Sequence, residues 1–271
     1  CYLLMLLFRF KLIISLHGDE VERMRNLSKK SIRYYLYNKL FTSAVNITGC
    51  SKFLINELQR NFNGINTNKC YPMYNGVSEV FLTKKLKLHK KDYIFCAARF
   101  MPKKGLDLLY KATQLSMGNN LLIAGGDENE FLTLGLKKME GIILLGPLTQ
   151  NELAKHLTEI KLTVIPSRKE PYGIIVAEAL CCGSPVVATN VGGIPELIAL
   201  ATEKLSPTEK EIFNHLVKLV EPEIESIRAG LNKIMENYSG LEEYLKLIPK
   251  VRKQFSWSKR LDQFHNVLAE S

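Results

Sequence analysis

The sequence lacks an apolar run long enough to cross a bilayer near its start. Residues 2–8 read Tyr-Leu-Leu-Met-Leu-Leu-Phe, but Arg9 and Lys11 follow at once, whereas a transmembrane helix needs roughly 20 apolar residues. No basic segment precedes the run, as it would in a secretory signal peptide. We expect a buried helix here. Because the chain begins at Cys1 rather than at a methionine, we also expect the protein to be N-terminally incomplete.

Cysteine is present but lacks a pairing pattern. None of the six cysteines stands in a Cys-x-x-Cys or Cys/His spacing that is typical of a structural zinc site. Small disulfide-linked domains place their cysteines in dense frameworks, and these cysteines are scattered. We therefore expect no metal site and a reduced, cytoplasmic compartment.

Acidic residues are few relative to basic ones. The sequence has 37 Lys and Arg against 27 Asp and Glu, a formal net charge of +10. Such an excess favours an anionic partner: nucleotide phosphates, an acidic membrane surface or nucleic acid. Charge alone does not choose among the three. The sequence has no nucleic-acid recognition motif, so we expect no nucleic-acid partner.

Short apolar runs alternate with amphipathic segments along the chain. This alternation favours an α/β fold with parallel, doubly wound sheets. The predicted strands are 12–16, 44–49, 93–98, 120–125, 141–146, 162–166 and 185–189.

The same pattern predicts two domains. The predicted organisation is a first domain over 1–82, a basic linker over 83–91, a second domain over 92–245 and a closing helix over 246–271. The stretch 199–218 is charged and has no strand signal.

Ligands bind at the carboxyl ends of parallel strands in such folds, so the strand-to-helix loops are candidate sites. The loop 97–105 contains Arg99 and Lys104 before Gly105 opens a helix. A guanidinium and an ammonium beside a helix N-terminus suit a diphosphate. The alternative for this motif alone is a solvated basic loop.

A second loop contains two carboxylates in the run Arg-Lys-Glu-Pro-Tyr-Gly-Ile-Ile-Val-Ala-Glu at 168–178. Gly173 permits close backbone approach to a ligand. Glu178 lies about two turns inside an apolar helix, where an unpaired carboxylate is costly. The hydroxyls of a ligand ribose would supply donors. The alternative is a structural pair with an arginine or exposure at the helix edge.

Two further loops are weaker candidates. His17 ends the strand 12–16, although a lone histidine is more often structural than functional. The run Val-Gly-Gly-Ile-Pro-Glu at 191–196 is interpreted as a simple tight turn.

Taken in order, these motifs resemble the retaining glycosyltransferases of family 4, which have the GT-B fold. The resemblance covers nearly the whole chain and implies two Rossmann-like domains facing a cleft, the N-terminal one incomplete. The matching segments are His-Gly-Asp at 17–19, Tyr-Asn-Gly-Val at 74–77, 99–105, 144–153, 166–189, Gly-Gly-Ile-Pro-Glu at 192–196 and Phe-Ser-Trp-Ser at 255–258.

The resemblance implies a role for each residue that contacts the donor, a UDP-sugar or GDP-sugar. Arg99 and Lys104 would hold the donor diphosphate. Glu178 would bind the ribose, and Leu148 would pack near the base. The amides of Gly173, Ile174 and Ile175 would meet phosphate or sugar oxygens.

The resemblance also implies two catalytic residues, Glu170 at the hydroxyls of the transferred sugar and His17 at the reacting centre. The reaction would move a hexose-type sugar, with retention, to a glycan or lipid-linked acceptor. No Asp-x-Asp metal motif is present, in agreement with transfer that needs no metal or other cofactor. Stabilising the departing diphosphate would be the main task.

Two departures from the family leave other functions open. The family's N-terminal glycine-rich loop has no counterpart, and the charged stretch 199–218 replaces a glycine-rich segment. The alternatives are an inactive remnant that binds nucleotide-sugars and a sugar-nucleotide epimerase of the same fold.

The predicted helix over 28–41 suggests a membrane contact. Basic residues beside aromatic ones suit an anionic bilayer surface. The alternative is a solvated helix that packs its tyrosines inward. The residues concerned are Lys29, Lys30, Arg33, Lys39, Tyr34, Tyr35, Tyr37 and Phe41.

Overall fold

The structure is a computed structural model that describes residues 11–114, 120–137 and 139–269. The apolar segment 2–8, for which the sequence predicts a buried helix, lies outside the described residues. The chain divides into two compact units, the first up to Gly76 and again from Trp257, the second over Val77–Ser256. Each unit is described by itself.

The described strands and helices alternate along much of the chain. The strands are β1 (Ile13–Leu16), β2 (Asn46–Gly49), β3 (Cys70–Pro72), β4 (Lys91–Ala97), β5 (Asn120–Ala124), β6 (Ile142–Gly146), β7 (Ile160–Ile165), β8 (Val186–Thr189) and β9 (Val217–Val220). The helices are α1 (Asp19–Arg25), α2 (Ile32–Ser43), α3 (Lys52–Asn61), α4 (Glu79–Leu82), α5 (Leu106–Gln114), α6 (Glu128–Thr133), α7 (Gln150–Glu159), α8 (Ile174–Cys181), α9 (Ile194–Thr202), α10 (Pro207–Leu216), α11 (Ile224–Glu236), α12 (Leu241–Phe255) and α13 (Trp257–Ala269).

The first unit contains a parallel three-stranded sheet in the order β1-β2-β3. Its core includes an aromatic cluster, in which the Tyr34 and Phe62 rings stack at 5.1 Å and Phe41 lies 5.0 Å from Phe62. The last helix, α13, docks on this sheet, since the buried Asn46 of β2 donates through Nδ2 to the carbonyl of Val267 at 3.1 Å.

The second unit contains a parallel six-stranded sheet in the order β6-β5-β4-β7-β8-β9. Numbered within the unit, this order is 3-2-1-4-5-6, that of the classic doubly wound fold, so the chain reverses direction across the sheet between β4 and β7. Helices form two groups, α5 with α11 and α7 with α8 and α12. The predicted α/β fold with parallel sheets is confirmed.

Apolar strands form the core of the second unit because both faces of a doubly wound sheet are covered. Ile94, Phe95 and Cys96 of β4 are buried, and so are all four residues of β8. Tyr244 and Phe213, on α12 and α10, are fully buried and their rings lie 6.0 Å apart.

The units divide at positions other than those predicted. The predicted linker 83–91 lies inside the second unit, and Lys91 already begins β4. The predicted closing segment 246–271 is split, because α12 ends at Phe255 and α13 belongs to the first unit. Ser256, between the two helices, has an extended backbone (ψ 142°), which interrupts the helical run.

The stretch 199–218, which is charged and shows no strand signal in the sequence, has regular secondary structure. It contains the end of α9, all of α10 and the start of β9. The signal for α10 is a capping box, in which the Ser206 hydroxyl accepts from the Glu209 amide and the Glu209 carboxylate accepts from the Ser206 amide. Pro207 at the first helical position adds to it. Nowhere in the described ranges is a helix both long and apolar enough to cross a bilayer.

Candidate functional site

Two loops of the second unit meet beside β4 and β7, where the strand order of its sheet reverses. One follows β4 and runs over 98–105, and the other follows β7 and runs over 166–173. At Gly105 (φ 67°) the two loops approach so closely that a Cβ would lie 1.9 Å from the carbonyl oxygen of Pro166. Position 105 therefore requires glycine both for its left-handed backbone and for space.

Arg168 joins the same two loops. Its amide donates to the carbonyl of Lys103 at 2.8 Å, and its guanidinium makes two parallel bonds of 2.6 Å with the Asp107 carboxylate. The hydrogen bonds from Arg168 lower the pKa of Asp107, and Asp107 in turn raises the pKa of Arg168. Bidentate pairs of this kind fix geometry as well as charge.

The structure brings Lys104 and Glu170, two residues singled out in the sequence, into direct contact. Lys104 Nζ lies 2.6 Å from Glu170 Oε2, with side chains only 16% and 10% exposed. The Ser167 hydroxyl donates to the same carboxylate oxygen at 3.4 Å. The ammonium and the carboxylate therefore neutralise each other.

The Gly-Gly pair at 192–193 supports Glu170. Gly193 donates its amide to the Glu170 carbonyl at 2.9 Å, and a Cβ on Gly192 (φ 58°) would lie 1.8 Å from that oxygen. The interpretation of this motif as a simple tight turn is too narrow, because the pair holds the loop that contains a candidate site residue.

Gly173 is the N-cap residue of α8 and has a left-handed conformation (φ 85°, ψ 45°). The first amides of a helix have no partner within the helix, so the Ile174 and Ile175 amides are donors at the start of α8. Anions are favoured at such a helix end. A Cβ on Gly173 would lie 3.1 Å from Glu170 Cγ, so the helix start and the Glu170 side chain are neighbours.

Glu178 is the one charged residue of α8. It is partly buried, and its carboxyl group makes no hydrogen bond or ion pair with any residue that the structure describes. Burial raises the pKa of this group to about 7. Among the described residues, no arginine forms a structural pair with Glu178, as the alternative interpretation would require.

The other predicted donor contacts, Arg99 and Leu148, follow two strands of this sheet, β4 and β6, which flank β5. Arg99 is exposed just after β4, and Leu148 is half-buried just after β6. Parallel strands end at one edge of the sheet, so both lie at the carboxyl edge with the loops above.

The sequence pattern had not indicated Gly125 and Gly126, which follow β5. A Cβ on Gly125 (φ 113°) would lie 2.3 Å from the Ala98 carbonyl oxygen, and one on Gly126 would lie 2.5 Å from the Phe100 ring. These glycines let the β5 loop pack on the loop that contains Arg99. The signal available was a Gly-Gly pair at the end of the predicted strand 120–125.

His17 lies in the first unit, at the end of β1, and is exposed. Its Nε2 is 3.2 Å from the Ser15 hydroxyl, and the His17 and Gly18 amides donate to the Glu20 carboxylate. The other predicted site residues all belong to the second unit. Over the described parts of both units, no group of three or more His, Cys, Asp or Glu could hold a metal ion.

Comparisons with known proteins identify the family. A family model described as "Glycosyl transferases group 1" matches residues 78–254. An uncharacterized glycosyltransferase of Methanocaldococcus jannaschii is 28% identical over 255 residues, 90% of this chain and 67% of its own length. A Campylobacter jejuni enzyme named N,N'-diacetylbacillosaminyl-diphospho-undecaprenol alpha-1,3-N-acetylgalactosaminyltransferase is 30% identical over 182 residues, 63% of this chain and 46% of its own.

Solved structures share the fold. HepE from Anabaena, solved in complex with UDP and glucose, matches with a TM-score of 0.75 at 18% identity over 100% of this chain and 74% of its own. Sucrose-phosphate synthase from Thermosynechococcus elongatus matches with the same TM-score at 19% identity over 99% of this chain and 70% of its own. The chain therefore belongs to the glycosyl transferases group 1 family and has the GT-B fold of these glycosyltransferases.

Proposed function

We propose that this glycosyltransferase moves a hexose-type sugar from a UDP-sugar or GDP-sugar to a glycan or lipid-linked acceptor, with retention of anomeric configuration. The observation on which the proposal depends most is Glu178, a carboxyl group without a hydrogen-bond partner among the described residues and with a pKa raised to about 7. A group that costs stability is expected where ligand contacts offset the cost. The two hydroxyls of a ribose offer two donors to one carboxylate.

The diphosphate is proposed to bind at the start of α8 and beside Lys104 and Arg99. The Ile174 and Ile175 amides and the dipole of α8 favour phosphate oxygens there. Lys104 is at present paired with Glu170 at 2.6 Å. Donor binding would divide this pair, leaving Lys104 for the phosphate and Glu170 for hydroxyls of the transferred sugar.

The proposed chemistry is substitution at the anomeric carbon. The bond from that carbon to the phosphate oxygen breaks, and a bond to the acceptor oxygen forms on the same face. The acceptor's proton passes to the departing diphosphate. The cations stabilise the negative charge that develops on this leaving group, which is the type of electrostatic contribution that lowers such barriers most. His17 is proposed to contact the donor sugar, and Leu148 the base.

The proposed acceptor class is based on the name of one relative and on the exposed side chains of α2. The name of the Campylobacter relative specifies a diphospho-undecaprenol-linked substrate, a lipid-linked acceptor. In this chain, Ile32, Tyr35, Leu36 and Tyr37 of α2 are exposed, while Tyr34 and Phe41 pack inward. An exposed apolar face beside basic residues suits peripheral contact with an anionic membrane from the cytoplasmic side.

A donor screen tests the proposal. The chain is incubated with UDP- and GDP-sugars, and release of the nucleoside diphosphate is measured with and without candidate acceptors. We expect release with one nucleotide class and, by NMR of the product, the donor's own anomeric configuration. Inverted product would refute retention. Epimerised sugar, or binding without turnover even when any upstream segment of the gene is restored, would favour the epimerase or the inactive remnant.

A further inference from the structure

The first unit contains a pocket of about 250 Å³ at the carboxyl edge of its sheet. Ser15 of β1 and Thr48 of β2, which stand opposite each other in register, form part of one wall. One face of α13 forms the other wall. Every described residue that lines the pocket belongs to the first unit, so its description needs no part of the second.

The α13 wall combines exposed rings with a buried charge. Trp257, Leu261 and Phe264 follow the i, i+4, i+7 spacing of one helix face and are 46%, 49% and 36% exposed. Arg260 lines the same pocket and is only 2% exposed. Gly76 permits this arrangement, because a Cβ there would lie 2.7 Å from the Trp257 ring.

The chemistry of the lining suits an oxyanion. Arginine has five N–H donors, and its planar group binds carboxylate or phosphate oxygens through two bonds at once. His17, the candidate residue at the end of β1, lines the pocket too, and Asn75, Ser15 and Thr48 add neutral polar groups. None of the described lining residues is acidic. A ligand pocket typically combines apolar and aromatic walls with a few polar groups that fix orientation.

We infer that this pocket binds a single sugar ring that carries an anionic group, with the oxyanion at Arg260 and the ring against Trp257 and Phe264. The volume lies just below the roughly 300–1,000 Å³ typical of drug-sized ligands, which suits one ring. A phosphate ester and a carboxylate share this chemistry. That the ligand is the acceptor rests on the proposed function, whereas the binding itself does not.

The pocket has its own reporter, since Trp257 is the one tryptophan of the sequence. The fluorescence of Trp257 is excited selectively and followed during titration. The protein is titrated with glucose 6-phosphate, glucuronate or neutral glucose in the absence of a sugar donor. We expect a saturable change with at least one of the two anionic sugars and a response to glucose at least tenfold weaker. The anion that saturates at lower concentration identifies the charged group.

Charge variants at an exposed lining position test the role of the cation without removing it. Leu261→Glu should weaken binding and Leu261→Lys should strengthen it, each by about three- to tenfold, as expected for one charge near a partly solvated ion. His265→Glu, at an exposed position of α13 outside the pocket lining, should change affinity less than twofold. Thermal melting confirms that each variant is folded.

Two results would overturn the inference. One is the absence of saturation with both anionic sugars, and the other is equal affinity in Leu261→Glu and Leu261→Lys. Donor binding in the second unit is measured separately with UDP and GDP. If neither UDP nor GDP binds, the proposed function is refuted, but anion binding in the first unit is not.

Discussion

Glu178 shows how a carboxyl group that is proposed to bind a ligand affects the stability of the folded protein. In an unfolded chain a glutamate ionises near pH 4.3, but in the folded protein burial raises its pKa to about 7. Between these pH values the folded state binds more protons than the unfolded state, so the contribution of Glu178 to the free energy of unfolding falls as pH rises. Above pH 7 the folded protein bears the full cost of the ionised carboxylate.

Glu178→Gln should therefore stabilise the donor-free protein in a pH-dependent way. Because the group is partly solvated, we expect a gain of about 1–2 kcal/mol at pH 8, or roughly 2–6 °C in Tm, and most of that gain should be lost at pH 5. Thermal melts at both pH values measure it, with the exposed Glu236→Gln as the matched control. A Tm change that is equal at pH 5 and pH 8 would contradict the account.

Candidate site residues could be selected from the sequence, but their mutual contacts could not. Lys104 and Glu170 were each assigned from a motif, whereas their 2.6 Å contact joins positions 66 apart. That contact depends on β4 lying beside β7, which a list of strands in chain order does not reveal. Membership of the glycosyl transferases group 1 and the parallel α/β fold, by contrast, are confirmed, because the motifs and the strand pattern that predicted them are local in the sequence.

At the scale of elements, the two site loops depend on glycines at which neighbouring backbones nearly touch. Gly192 (φ 58°) and Gly135 (φ 74°) have similar left-handed backbones. A Cβ on Gly192 would lie 1.8 Å from the Glu170 carbonyl oxygen, whereas a Cβ on Gly135 would have nothing within 4 Å. A substitution at Gly135 therefore causes backbone strain alone, whereas one at Gly192 causes backbone strain and a steric clash.

Gly192→Ala should weaken donor binding, and Gly135→Ala should not. We expect both variants to lose about 1 kcal/mol of stability from the left-handed backbone, and Gly192→Ala to lose more because the Glu170 loop must move. Nucleotide affinity, measured by calorimetry on folded protein, should fall at least tenfold in Gly192→Ala alone. Equal affinity in the two variants would contradict the assigned support of Glu170.

Elements with strong local signals were predictable within a few residues, and tertiary placement was not. The basic, aromatic helix predicted over 28–41 is observed as α2 over Ile32–Ser43, begun by a Ser31 cap that accepts from the Tyr34 amide. Helix α10 was not predicted, although it has a local signal, the Ser206–Glu209 capping box. The unit to which α13 belongs depends instead on packing against β2, which no local pattern encodes.

At the scale of the molecule, the excess of positive charge is concentrated in part in one segment of the chain. No acidic residue occurs from Arg23 to Asn56, a stretch that contains α2. Lysines and arginines near an anionic membrane contribute about 1 kcal/mol each. Exposed apolar side chains on the same helix can enter the interface.

The chain should therefore sediment with anionic liposomes at low salt and lose this binding at high salt. Changing Lys29, Lys30, Arg33 and Lys39 to Gln should reduce binding at least tenfold. The matched control removes four charges from the second unit and should retain most of the binding. It changes Lys204, Lys210, Lys233 and Lys253 to Gln. Wild-type protein that stays in the supernatant at low salt would refute membrane contact through α2.

The central claim is that the carboxyl edge of the second sheet binds a nucleoside diphosphate through Glu178 and Arg99, and calorimetric titration with UDP and GDP tests it most directly. A hydrogen bond to a charged group contributes about 1.5–3 kcal/mol. Glu178→Gln and Arg99→Ala should therefore each weaken binding of the preferred nucleotide by at least tenfold, while Glu236→Gln leaves it unchanged. Saturable binding with unaltered affinity in both site variants, or no binding of either nucleotide by the folded wild-type chain, would contradict the account.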